Sequence, residues 1–160
     1  MLTEEDIIHI KDMFQDELSN KLIIACMDGD VDLTRYLLTS SELKRHANIN
    51  VDHSSALVWS VYGNHLDIVK YLLTSPELIE HLNIHIHEDF IFKNTCNDHK
   101  TDMMDYLIFD YKITKTQEIE TYLVKSSRQN ILDLFEKREL EEKLQLQLQL
   151  PNSQCTKLKL

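Results

Sequence analysis

Two stretches of the chain align when the sequence is shifted against itself by 35 residues. Leu22 to Ile49 reads LIIACMDGDVDLTRYLLTSSELKRHANI, and Leu57 to Ile84 reads LVWSVYGNHLDIVKYLLTSPELIEHLNI. Twelve of these 28 aligned positions are identical. A third, weaker copy, FKNTCNDHKTDMMDYLI, begins at Phe92 with the same offset. The fold is therefore expected to consist of tandem repeats.

Each copy has the pattern of two short helices followed by an extended segment. Leu57 and Val61 share one face of the first helix, which should end near Gly63 and Asn64 because both tolerate the left-handed conformation. Apolar residues at 68–73 give the second helix a buried stripe. The following LNIHIHED alternates apolar and polar residues, the period of a strand. We therefore predict a unit of helix, turn, helix and extended finger.

The second copy resembles the ankyrin-repeat family. From Ser55 to Leu73 it reads SALVWSVYGNHLDIVKYLL, which is similar to the family signature T-P-L-H-x-A-A-x-x-G-H-x-E-I-V-K-x-L-L. The resemblance implies an all-α, ankyrin-like helical repeat solenoid of about three repeats with helical N- and C-terminal caps. It also implies that His65, at the Gly-His position, forms a hydrogen bond between neighbouring turns.

Two departures from the family pattern concern the segment between repeats. Eight residues, TSSELKRH, separate Leu38 from Ala47, where the family usually has about three. We expect them to extend the second helix. The finger before Ser55 is shorter than usual and lacks the D-x-x-G turn, so its tip should be blunted.

The predicted organisation is a single ankyrin-repeat domain over residues 1–145. Its parts are an N-terminal capping helix at 1–19, repeats at 20–54, 55–90 and 91–116, and a C-terminal cap at 117–145. Leucine and glutamine alternate in the tail, residues 146–160, which is expected to be disordered. A β-edge segment and a partner-binding strand are alternatives for this tail.

Charge and composition exclude several classes of protein. Seventeen basic and 27 acidic residues give a formal net charge of −10, which disfavours nucleic-acid binding. The acidic start is unlike a signal peptide, and no apolar run is long enough to span a bilayer. We therefore expect an intracellular, cytoplasmic protein that binds neither nucleic acid nor membrane. Secretion as an effector by a signal-independent route remains an alternative, and the oligomeric state is left open.

Cysteines and histidines give no clear metal or catalytic pattern. Cys26, Val61 and Cys96 are spaced by 35 residues and should share one buried helix position, so a packing role is expected. His81, His85 and His87 are candidate metal ligands, but no cysteine or dense set of carboxylates completes a ligand shell around them. The equivalence of His46 and His81 suggests a shared local contact instead. No phosphate-binding loop or hydrolase motif occurs, so we expect no enzyme activity, no metal and no cofactor.

The family resemblance implies that a concave face binds a partner protein. First-helix positions and fingers that match this face are Met27, Asp28, Asp52, His53, Ser54, Tyr62, Glu88, Asp89, Asn97 and Asp98. Trp59 belongs to the same set, although core packing is its favoured role. Tyr62 is the best anchor candidate because aromatic residues dominate interface hot spots.

The sequence thus predicts a non-enzymatic protein–protein interaction module that acts as an adaptor or effector. The alternative is a small acidic inhibitor or immunity-type protein that occludes a basic enzyme. The acidic residues on the predicted face favour a partner with a basic surface.

Overall fold

The computed structural model describes residues 3–97 and 100–149, without the side chains of residues 86–88 and 97. These described residues contain helices and turns but no strand. Nine α-helices and one π-helical turn follow each other along them: α1 Glu4–Lys11, α2 Gln15–Asp28, α3 Val31–Thr39, α4 Val51–Tyr62, α5 Leu66–Thr74, α6 Ile86–Asn97, α7 Thr101–Asp105, the π-helical turn Tyr106–Asp110, α8 Gln117–Lys125 and α9 Gln129–Gln149.

The helices repeat with the period found in the sequence. Helix α5 begins and ends 35 residues after α3, and α6 begins and ends 35 residues after α4. Helix α7 starts 35 residues after α5 and continues into the π-helical turn. The first helices of the repeats pack side by side, since α4 contacts both α2 and α6. The all-α repeat fold is confirmed.

The chain divides into two compact units, residues 1–104 and 105–160, of which the described parts are considered separately. The first unit contains the repeats through Met104, and the second contains the π-helical turn, α8 and α9. The prediction of a single domain over 1–145, with its repeat boundaries, stays a prediction.

Local sequence explains where the repeat helices begin and end. Gly29 follows α2 with φ +79°, a left-handed conformation that costs glycine little. Asn64 takes the same role after α4 with φ +59°. At the start of α3, the Asp30 carboxylate accepts a hydrogen bond of 2.9 Å from the Leu33 amide. The predicted break at Gly63 and Asn64 is confirmed.

The core of the first unit lies between the two rows of repeat helices. The second-helix stripe predicted at 68–73 is buried at each of its apolar positions, Ile68, Val69, Tyr71, Leu72 and Leu73. The predicted column of Cys26, Val61 and Cys96 is at most 1% exposed. Burial of these small side chains allows adjacent first helices to pack closely.

The N-terminal segment is two helices, so the prediction of one capping helix over residues 1–19 is wrong. Helix α1 ends at Lys11, and α2 begins at Gln15 after an extended residue, Phe14. The Glu17 carboxylate accepts a 2.7 Å hydrogen bond from the Phe14 amide. This bond satisfies an amide that would otherwise need a carbonyl of a preceding turn, so the chain restarts here.

The segments after α3 and α5 are not helical, which corrects the predicted extension of the second helix. We call residues 40–50 insert 1 and residues 75–85 insert 2. In insert 1 the His46 ring binds the carbonyl of Ser40 at 3.0 Å, and in insert 2 the His81 ring binds the carbonyl of Ser75 at 2.8 Å. The shared contact predicted for the two histidines is confirmed. This contact occupies one backbone carbonyl in each insert, and each insert folds into turns instead of a helix.

The alternating LNIHIHED segment is also not a strand. Asn83 Oδ1 accepts a 2.9 Å hydrogen bond from the amide of His85, which closes a tight turn directly before α6. This local bond replaces the ladder of hydrogen bonds that a strand would need from a neighbour. The predicted extended finger is therefore wrong in this place.

The second unit consists of the π-helical turn followed by α8 and α9, which pack against each other. Its buried side chains include Leu107, Ile113, Ile119, Leu123, Ile131 and Phe135. Helix α9 continues through residues 146–149, so the predicted disorder of the tail is wrong for these four residues. Residues 150–160 lie outside the described part of the chain.

Candidate functional site

Five exposed apolar side chains line the first helices of successive repeats. The members of this aromatic strip are Ile24, Met27, Trp59, Tyr62 and Phe90, with exposed fractions between 39% and 53%. Two come from α2, two from α4 and one from α6. On α2 and on α4 the two members are three residues apart, so they share one helix face. Exposed apolar side chains grouped in this way on neighbouring helices are typical of interaction sites.

The three rings of the aromatic strip contact each other in sequence. The centroids of Trp59 and Tyr62 are 5.8 Å apart, and those of Tyr62 and Phe90 are 6.2 Å apart. Both pairs are tilted, an arrangement that aromatic rings favour. The ammonium group of Lys100 lies 5.8 Å from the centre of the Tyr62 ring. Tyr62 is therefore the centre of the strip.

His65 fixes the turn behind the aromatic strip. Its Nε2 lies 3.0 Å from the carbonyl oxygen of Met27, which joins the turn after α4 to the end of α2. The hydrogen bond between neighbouring turns is thus present. The imidazole passes so close to Gly29 and Gly63 that a β-carbon on either residue would overlap it. Both glycines are needed for this close approach.

The blunted finger before the second repeat is a left-handed turn. Asp52, His53 and Ser54 all have positive φ, at 45°, 55° and 67°. The Asp52 carbonyl accepts a 2.7 Å hydrogen bond from the Ser55 hydroxyl, and the right-handed part of α4 starts there. Asp89, equivalent to Ser54 in the next repeat, also has positive φ, at 60°. Left-handed residues other than glycine are uncommon, so this turn is a specific feature of these repeats.

The predicted site residues are not all at the surface. Met27, Asp28, Asp52, His53, Trp59 and Tyr62 are exposed, so the favoured core role of Trp59 is wrong. Ser54 is only 5% exposed and Asp89 only 2%, which corrects their predicted place on the binding surface. Asp89 instead pairs with His85, its carboxylate 2.5 Å from Nδ1. The side chains of Glu88 and Asn97, and all of Asp98, lie outside the described residues.

Sequence reasoning missed three residues that complete the site. Ile24 is equivalent to Trp59, so the 35-residue offset could have predicted that the two residues share one exposed position. Phe90 is aromatic where the other two repeats have the polar residues Asn20 and Ser55. Lys100 occupies the position equivalent to His65. Phe90 and Lys100 could have been found in the sequence because each differs in chemical type from its equivalents in the other repeats.

The residues that the structure describes include few side chains suited to catalysis. Burial raises the pKa of the Cys26 thiol to about 11, although its hydrogen bonds with Thr34 and Ser60 oppose the increase. A thiol with this pKa is protonated at neutral pH and is a poor nucleophile. Among the described residues, no group of three or more histidine, cysteine or acidic side chains is placed to hold a metal ion. None of the helices in this part of the chain has the length and apolar character to cross a membrane.

Comparison with known proteins agrees with the repeat architecture. The family model for ankyrin repeats (3 copies) matches residues 5–84, half of the chain. Neither curated proteins nor solved structures give a significant match. Ankyrin repeats are generally protein–protein interaction modules and are typically non-enzymatic. The match stops before α6, but α6 and α7 keep the 35-residue offset. With its signature, its repeating helix pairs and this match, the chain belongs to the ankyrin-repeat family.

Proposed function

We propose that the protein is a non-enzymatic binding module whose aromatic strip contacts a partner protein, as part of an adaptor or effector. The observation that carries this proposal is the exposure of five apolar side chains on α2, α4 and α6, the first helices of successive repeats, which pack side by side. Burial of such side chains against a partner contributes favourable free energy of association. Tyr62 contacts both other rings and is the expected anchor.

The acidic character of the chain favours a partner with a basic surface. Asp28, directly after Met27, and Asp52, in the left-handed turn before the right-handed part of α4, are exposed. Such carboxylates accelerate the encounter with a basic partner and make the association rate sensitive to salt. We also propose a cytoplasmic location, with neither nucleic acid nor membrane as the target.

Affinity capture with Tyr62→Arg tests this proposal. Wild-type and variant chains are used to capture proteins from cells that naturally produce the protein, and bound proteins are identified and quantified by mass spectrometry. Ile8→Arg is the matched control, because Ile8 is 66% exposed and lies on α1, a helix that contributes no residue to the strip. A partner that is lost with Tyr62→Arg but kept with Ile8→Arg supports the proposal. Equal capture by both variants contradicts it.

The second candidate function is inhibition of a basic enzyme by occlusion. The net charge of −10 and the small size of the chain favour it. A tight, salt-sensitive, one-to-one complex that blocks the activity of the captured enzyme supports the inhibitor. Several weaker partners, bound through the same strip, support the adaptor. Titration calorimetry of the purified pair at two salt concentrations separates the two.

A further inference from the structure

The two inserts form a groove that shares no residue with the aromatic strip. We call it the insert groove. Its volume is about 530 Å³, and it opens between the end of α3 and the two inserts. Buried apolar side chains contribute to its walls: Leu38, Ala47, Ile49 and Leu78. A concave surface of this size can accept one or two side chains of an incoming peptide.

Hydrogen bonds within the inserts define the shape of the groove. In insert 1 the amide of Glu42 donates to the Ser40 hydroxyl, and in insert 2 the amide of Glu77 donates to the Ser75 hydroxyl, each at 3.3 Å. Together with the matching histidine contacts, these bonds give both inserts the same fold. The walls are therefore specified by sequence in each repeat.

Ile79 is the residue of the insert groove that the fold does not explain. It lines the groove, and its side chain is 99% exposed. The equivalent residue of insert 1 is Lys44, which shows that this position accepts a charged side chain without loss of the insert fold. An isoleucine here exposes apolar surface at the edge of an apolar groove, where it would be covered by a bound chain.

The charged side chains that line the groove are acidic. Glu77 and Glu80 are exposed and line it next to Ile79. Glu77 lies 3.7 Å from the Arg35 guanidinium and also forms a hydrogen bond with Tyr71, and Glu80 accepts a 3.1 Å hydrogen bond from the neutral amide of Asn50. Insert 1 has Arg45 where insert 2 has Glu80, whereas Glu77 has an acidic equivalent in Glu42, so the second carboxylate is specific to insert 2. A basic group on the occupant would complement both carboxylates.

We propose that the insert groove binds a short segment of a partner protein in which an aliphatic side chain lies next to lysine or arginine. The aliphatic side chain packs against Ile79 and Leu78, and the basic side chain pairs with Glu77 and Glu80. This surface is additional to the aromatic strip, so the two proposals succeed or fail independently.

A selection from random peptides tests the insert groove directly. A phage-displayed library of random 12-residue peptides is panned on the purified full-length chain, and the enriched peptides are synthesised for fluorescence anisotropy. We expect enrichment of an aliphatic residue next to lysine or arginine. Ile79→Lys and Glu80→Arg, which introduce the residues of insert 1, should each weaken binding at least tenfold. Both variants should keep the wild-type helical spectrum and melting temperature.

Matched variants assign the site. Lys44→Ile changes the equivalent position of insert 1, and Tyr62→Arg removes the anchor of the aromatic strip; both should leave the peptide affinity unchanged. Failure to enrich any peptide, enrichment of acidic peptides, or equal binding by Ile79→Lys would overturn the proposal. Loss of binding with Tyr62→Arg alone would assign the peptides to the strip and also overturn it. Self-association that Ile79→Lys abolishes would identify a second copy of the chain as the occupant instead.

Discussion

The Nε2 atom of His65 lies 3.0 Å from the carbonyl oxygen of Met27. The bond links the end of α2 to the turn after α4, and it therefore joins two successive repeats. Met27 provides the acceptor of this bond, and Tyr62, its equivalent in the next repeat, lies three residues before His65. This contact between the backbone carbonyl of one strip residue and a side chain outside the strip connects the segments that carry Met27 and Tyr62.

Removal of this contact should destabilise the protein. We expect His65→Ala to lower the free energy of unfolding by about 0.5–1.5 kcal/mol, since one intramolecular hydrogen bond is lost. Gly63→Ala should cost at least as much, because its β-carbon would displace the imidazole. Urea denaturation followed by circular dichroism measures both. In the His65→Ala background Gly63→Ala should cost less, because the ring is absent. His9→Ala, at an exposed histidine of α1, is the control, and an equal loss there would contradict the interpretation.

Titration of Cys26 should make the protein less stable at high pH. Burial raises the pKa of this thiol from 9.0 to about 11, so the folded state holds the proton more tightly than the unfolded state. The resulting stabilisation is fully present below about pH 9 and is lost as the pH rises through about 11; it corresponds to about 3 kcal/mol. Cys26→Val, which introduces the residue found at Val61, should remove this part of the alkaline loss.

Denaturation at about pH 8 and about pH 11 checks the role of Cys26. At the lower pH the Cys26→Val variant should be at most about 3 kcal/mol less stable than the wild type, because valine adds roughly one methyl group to a packed core position. The difference between the two pH values should be smaller for the variant than for the wild type. If the unfolding free energy changes equally with pH in the two proteins, groups other than Cys26 cause the loss of stability at high pH.

In the left-handed turn at Asp52, glycine should be more stabilising than valine, which is the reverse of their order in a helix. Left-handed backbone is unfavourable for side chains with a β-branch and acceptable for glycine. Asp52→Val should therefore lower the unfolding free energy by about 1 kcal/mol, whereas Asp52→Gly should leave it unchanged or raise it. At Lys21, in the middle of α2, glycine should be less stable than valine. Thermal and urea denaturation of the four variants gives both orders, and the same order at both positions would contradict a left-handed turn.

Arg138 should stabilise the second unit through backbone carbonyls. Its Nη1 donates to the carbonyl oxygens of Ile108, at 3.3 Å, and Ile113, at 2.8 Å. Ile108 lies in the π-helical turn, where regular α-helical bonding is interrupted. Arg138→Met keeps an unbranched stem but removes these donors, and should cost about 1.5–3 kcal/mol.

Hydrogen exchange of amides in α9, combined with chemical denaturation, measures the effect of Arg138→Met. Lys143→Met, at an exposed position on the same helix, is the control and should change stability by less than about 0.5 kcal/mol. If both variants exchange like the wild type, the two hydrogen bonds do not stabilise the unit.

The sequence by itself determined the repeat period, the helix pairs and their family. These features depend on local chemistry: apolar spacing selects the helices, and residues such as Gly29 and Asp30 end one helix and start the next. The equivalence of His46 and His81 likewise predicted a common contact, because both rings act within their own insert. Within the repeats, two conformations were predicted wrongly, the helical extension of the inserts and the strand-like finger. In both places a side chain binds a nearby backbone group, and hydrophobic periodicity does not report such bonds.

The tertiary structure alone decided which side chains reach the surface. Trp59 and Ser54 belong to the same helix, yet Trp59 is 41% exposed and Ser54 only 5%. Helices α2, α5 and α6 all pack against α4 but leave Trp59 exposed, and a linear sequence does not record that arrangement. The aromatic strip and the insert groove exist for the same reason. Each joins residues from successive repeats, and only the packing of one repeat against the next brings them together.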